Sequence, residues 1–155
     1  MLRRVLVATN LSVRAQRAEA LAGRVVAGSD VEVELFYVYP ELPPRGTERQ
    51  GDRQTGMPWC VGESRLAPYV VERATTVLRA AGARLSRAAG TNPRIWYRIV
   101  GSDDVAAMIV HEAERGGVDL IVLGGRKHTE LPFLNNDGVC GKVRRRTQKP
   151  VLLVP

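Results

Sequence analysis

Val118-Asp-Leu-Ile-Val-Leu-Gly-Gly125 decides the fold of this chain. From Asp119 to Leu123 it has almost no polar content after its first residue, so it reads as a strand buried on both faces, and it ends on two glycines. A strand of that kind belongs in the middle of a parallel sheet. Working outward, Arg4 to Ala8 is a second such strand, and Pro150 to Val154 closes the chain with a third.

Helical patterns fill the spaces between strands. Ser12 is the N-cap of a helix running to about Ala27, with Ala15, Ala18, Ala22 and Val25 or Val26 on one face. Val31 to Tyr39 alternates Val31, Val33, Leu35 and Tyr37 against Glu32 and Glu34, a strand signature. Leu66 to about Ala89 keeps a 3.6-residue apolar period through Val70, Ala74, Val77, Leu78, Ala81 and Leu85, with Gly82 weakening its middle. Arg94 to Val100 is a strand whose Arg94 and Arg98 suit an edge. Asp103-Asp104 starts a third helix with stripe Val105, Met108, Ile109 and Ala113, and Gly116-Gly117 ends it. A last short helix runs from Asp137-Gly138 to about Thr147.

Five strands alternating with four helices give an α/β fold, an open five-stranded parallel sheet with helices on both faces. With strands one and four as central neighbours the order is 3-2-1-4-5, a Rossmann-like arrangement. Ligands of such sheets sit at the carboxyl ends of the strands where the winding reverses, here between Thr9-Asn10 and Gly124 to Lys127, with the Gly138 helix start at the same end. Free amides and the macrodipole at a helix start favour phosphate, although Gly124-Gly125 also serves simply to close a strand.

The 155 residues, 45% hydrophobic and 25% charged, suit one domain spanning 1–155. Pro40 to about Ser64 lacks periodicity and reads as a long, easily opened loop, in which Trp59 is either an anchor onto the body or a clamp over a ligand. No run approaches the ~20 apolar residues of a membrane span, and no signal peptide is visible, which implies a soluble cytoplasmic protein. Cys60 and Cys140 form neither a disulfide framework nor a CxxC motif. Net charge is +7, with only three Lys among 23 basic residues. That balance attracts phosphorylated ligands, whereas the 5% aromatic content argues against a nucleic-acid stacking surface.

Catalytic constellations are not evident. His111 stands beside Glu112 without an HExxH pattern, and His128 follows the glycine turn as an exposed loop residue or a phosphate contact. No GxSxG, GxxxxGK[ST] or GxGxxG stands where those chemistries need it. Cys140, at a helix start, is a candidate for a lowered thiol pKa but has no visible base. The chain is therefore expected not to be an enzyme and to require no cofactor or metal.

Four stretches resemble the universal stress protein family. They are Arg4-Val-Leu-Val-Ala-Thr-Asn-Leu-Ser12, Val100-Gly-Ser-Asp-Asp104, Val118-Asp-Leu-Ile-Val-Leu-Gly-Gly125 and Gln148-Lys-Pro-Val-Leu-Leu-Val154. The resemblance spans the chain apart from 40–64. It implies an adenine nucleotide alpha hydrolase-like fold, a cytoplasmic stress-response role, a homodimer paired through the last strand, and, in one branch, ATP or AMP binding. That branch carries G-x-x-G, nine residues, then G-S/T. Here the four marked positions are Gly124, Lys127, Asp137 and Gly138, or, one residue on, Gly125, His128, Gly138 and Val139. Either register loses the second glycine and the hydroxyl, and the family's aspartate after the first strand is Asn10. The candidate nucleotide site implied by the resemblance comprises Ala8, Thr9, Asn10, Val38, Gly124, Gly125, Arg126, Lys127, Gly138 and Val139. Two readings follow: a stress-response binding or signalling module with an altered crevice, or a true ATP or AMP binder in which Arg126 and Lys127 supply charge at the phosphates.

Overall fold

The computed structural model describes residues 1–40, 68–125 and 138–155. Five strands, β1 (Arg4–Ala8), β2 (Glu32–Pro40), β3 (Arg94–Ser102), β4 (Leu120–Gly124) and β5 (Val151–Val154), form one sheet in the order β3-β2-β1-β4-β5. Every pairing is parallel. Helices α1 (Val13–Val26), α2 (Pro68–Ala89), α3 (Val105–Arg115) and α4 (Val139–Arg146) alternate with them. The expected topology and strand order are therefore present, with β3 at one edge and β1 at the centre.

Strand β1 is central because it can be buried on both faces. Val5, Leu6 and Val7 are all at 0% exposure. Val5 and Val7 join Ala18, Ala22, Leu35, Leu78 and Leu85 beneath α1 and α2. Leu6 points the other way, to Phe36, Met108, Ile109, Ile121 and Val143 beneath α3 and α4. The start of β1 is fixed by Asp119, whose Oδ2 accepts from the amides of Arg3 at 2.7 Å and Arg4 at 3.0 Å.

The caps follow the sequence. Ser12 Oγ accepts from Ala15 N at 3.1 Å, and Asp104 Oδ1 accepts from Ala107 N at 3.0 Å. Of the two alternatives at the end of α1, Val26 is buried and Val25 exposed. Gly82 has a packing reason, since a Cβ there would run into the hydroxyl of Tyr97. The α3 stripe is wider than its four expected residues: Ala106 and Glu112 are also buried, while Val105 is only half-buried. In β2, the alternation places Glu34 under α3, where it is 8% exposed and faces Glu112, Arg98 and Arg4.

Candidate functional site

Eight of the ten candidate residues lie in described parts of the chain, and the topology gathers them at the carboxyl end of the sheet. Ala8 ends β1 opposite Phe36 of β2 and Leu123 of β4. Thr9 continues the line, its amide donating to Phe36 O at 3.0 Å. Val38 lies two residues further along β2 and is buried. On the other side Gly124 and Gly125 leave β4, and the Gly125 amide donates to Val154 O at 2.9 Å. Gly138 is the N-cap of α4 and Val139 its first residue, both exposed. Arg126 and Lys127 fall outside the described residues, as do His128, Asp137, Cys60, Trp59 and nearly all of the 40–64 segment.

Each element presents a different chemistry. Asn10 is exposed, and its Oδ1 accepts from Ser12 N at 3.2 Å, a short turn that aims the chain into α1. Leu11 completes the reversal with φ 68°, the left-handed region that a side chain enters only at some cost. One lone pair of the Asn10 amide is thus engaged, leaving its second lone pair and two N–H donors for a ligand. Gly138 gives α4 no side-chain cap, so first-turn amides are left to other acceptors. A carboxylate or phosphate oxygen is the natural acceptor at such a place.

The two glycines of β4 are required by packing. A Cβ on Gly124 would meet the carbonyl of Arg14 and the amide of Ala15, backbone that cannot swing aside. A Cβ on Gly125 would meet Cys140, 2.5 Å from Sγ. They let α1 and α4 close on the end of β4, which shapes the crevice from both sides. Cys140 does not have the lowered thiol pKa for which its place at a helix start made it a candidate. Its thiol is half-buried and donates to Gly124 O at 3.4 Å, and burial pushes its pKa up rather than down. The desolvation of a thiolate outweighs the helix start, and Cys140 packs α4 against β4.

Electrostatics tie the same end together. Arg146 Nη1 pairs with Asp104 Oδ2 at 2.8 Å, joining α4 to the start of α3. Burial acts to raise the Asp104 pKa, but the Ala107 amide and Arg146 outweigh it and hold the carboxyl below its ordinary value. His111 is a half-buried helix residue. No group of three or more His, Cys, Asp or Glu is arranged to hold a metal among the described residues.

One important side chain escaped the sequence reading. Glu19, wholly buried on α1, accepts from Thr9 Oγ1 at 2.5 Å and pairs with Arg84 of α2 at 2.5 Å. Its signal was available, because position 19 falls inside the stripe Ala15, Ala18, Ala22, Val26, where a charge must be paired.

No helix among the described residues is long and apolar enough to cross a membrane. Among curated proteins, none is similar enough to count as a relative. Solved structures are similar over nearly the full length. A universal stress protein crystallised with cAMP shares 24% identity at a TM-score of 0.72, the match covering 99% of this chain and 97% of that one. A member of the universal stress protein family from Burkholderia pseudomallei shares 25% identity at a TM-score of 0.66, covering 98% and 95%. The universal stress protein of Archaeoglobus fulgidus in complex with dAMP shares 17% at 0.66, covering 100% and 98%. The model of the universal stress protein family matches residues 1–155. With that match over its whole length and the 3-2-1-4-5 sheet beneath it, the chain belongs to the universal stress protein family.

Proposed function

We propose that this protein is a cytoplasmic binding or signalling module of the stress response, not a catalyst. Its adenine nucleotide crevice is kept in outline and altered in chemistry. The observation that carries this reading is the convergence, at one end of the sheet, of the Asn10 turn, the β4 glycines and the uncapped start of α4. Structures of similar fold hold cAMP or dAMP, which makes adenine nucleotides the ligands to test.

ATP binds much more weakly here than to an intact motif. A side chain at the second glycine position adopts a glycine backbone shape at a cost of about 1–2 kcal/mol. A missing hydroxyl forgoes a hydrogen bond to a charged oxygen, about 1.5–3 kcal/mol. Together these weaken binding on the order of a hundredfold or more. Calorimetry with ATP, AMP and cyclic nucleotides tests this, alongside mass spectrometry of ligand released from the purified protein. The alternative, a genuine ATP or AMP binder, rests on Arg126 and Lys127, whose charges follow the β4 glycines in sequence. A micromolar ATP dissociation constant that Lys127→Gly abolishes would establish that reading over the first. Hydrolysis of bound ATP no faster than in a crevice variant is the expected result of a turnover assay.

A further inference from the structure

Glu19 occupies a place where an apolar residue would complete the α1 stripe, yet it is at 0% exposure. Its two oxygens face two different elements. Oε1 accepts from Thr9 Oγ1 at 2.5 Å, at the exit of β1. Oε2 accepts from Arg84 Nε at 2.5 Å, on α2 and 65 positions away in sequence. A carboxylate so far from water is tolerable only when paired and hydrogen-bonded, so Thr9, Glu19 and Arg84 stand or fall together. Arg84 Nη2 is buried with no partner among the described residues, and its Nε is the group that meets Glu19.

Thr9 is therefore gripped twice. Its amide is fixed by Phe36 of β2 and its hydroxyl by Glu19. The next residue is Asn10, and the chain reverses at Leu11 with φ 68°. Any play in Thr9 passes directly into the position of the Asn10 side chain. Ser12, which accepts from Ala15, and Asn10 fix the turn from its far side, while Glu19 grips it through the Thr9 hydroxyl.

We propose that Glu19 and Arg84 are positioning residues of the crevice, acting through Thr9 to hold Asn10 where a nucleoside would meet it, and so linking occupancy of the crevice to the seating of α2 on α1. The proposal rests on the nucleotide reading given above. By reciprocity, a ligand that leans on Asn10 strengthens the Arg84–Glu19 link by the same factor as that link strengthens the ligand.

The test uses the full chain with AMP as the probe and two readouts, the AMP dissociation constant and backbone amide exchange without nucleotide. Arg84→Met is expected to weaken AMP about five- to tenfold and to speed exchange at Thr9, whose amide donates to Phe36 O, by at least fivefold, while β4 and β5 amides keep their rates. Arg84→Lys, which keeps the charge, restores most of both. The double variant Thr9→Val, Arg84→Met binds AMP no worse than the weaker single variant, because both cut the same tether. Additive losses, an unchanged Arg84→Met variant, or faster exchange spread evenly over the sheet would overturn the proposal. If the unaltered protein binds no AMP, ATP or cAMP, the nucleotide reading fails on its own. Exchange at Thr9 then decides the tether: a rate unchanged in Arg84→Met rejects it, and a rate raised there while β4 and β5 keep theirs upholds it.

Discussion

Glu34 lies beneath α3 with Oε1 buried and unpartnered among the described residues. Burial first, then the neighbouring Glu112 carboxylate, raises its pKa to about 7, against the opposing pull of Arg98 and Arg4. Glu112 itself is held by Arg98, 3.0 Å away, and by Arg115 at 3.1 Å. Between its ordinary pKa and about 7 the folded chain thus keeps a proton that the unfolded chain has lost, so stability falls as pH rises through this window and levels off above it. Urea unfolding should show a loss on the order of 2 kcal/mol between pH 5 and pH 8, allowing for solvent screening of a partly wet group. Glu34→Gln, neutral throughout, should flatten that slope and exceed the unaltered protein in stability at pH 8. Buried acids of this kind were the least legible residues in the sequence. Periodicity tells which face of β2 or α1 Glu34 and Glu19 occupy, but depth depends on what packs over that face. Arg98 was read as an edge marker, which it is, and its service to Glu112 required α3 to be in place.

Elements were more legible than residues because their signals are local. Ser12 was named as a cap, and Asp103-Asp104 as a helix start, from residue type and position alone; Ser12 and Asp104 accept the capping hydrogen bonds. The β4 glycines were ambiguous between closing a strand and cradling a phosphate, and only tertiary packing shows the backbone of α1 against Gly124. Gly124→Ala should therefore lower stability by about 2–3 kcal/mol, read from the urea midpoint, whether or not any nucleotide is present. At Gly138 the outcome is the reverse. A Cβ there meets nothing within 4 Å, and φ −55°, ψ 178° is ordinary extended backbone. Gly138→Ser should supply the missing cap and stabilise the protein by a few tenths of a kcal/mol. If the serine also tightens ATP, the first of the two motif registers is the operative one. The candidate site was legible as a location, since it follows from topology, whereas its contacts were not, since they join residues as distant in sequence as Glu19 and Arg84 or Arg14 and Gly124.

On the scale of the molecule, the strand order follows from which strands can be buried twice, and the apolar runs at 4–8 and 119–123 already named the central pair. The sheet has two edges of different character. Strand β3 carries Arg94, an exposed Trp96 and Tyr97, while β5 is Val-Leu-Leu-Val, half-exposed over three of its four residues. An apolar edge of that sort invites pairing, so light scattering at low micromolar concentration should show a dimer of the 17.0 kDa chain. Leu152→Lys should shift it toward monomer if β5 forms the seam. The Asp119 carboxylate that fixes the start of β1 reaches it across 116 positions. During synthesis, then, β1 has β2 on one flank and nothing on the other until β4 follows. Until then Val5, Leu6 and Val7 wait with one flank of their shelter missing, a circumstance in which chaperone contact is most valuable.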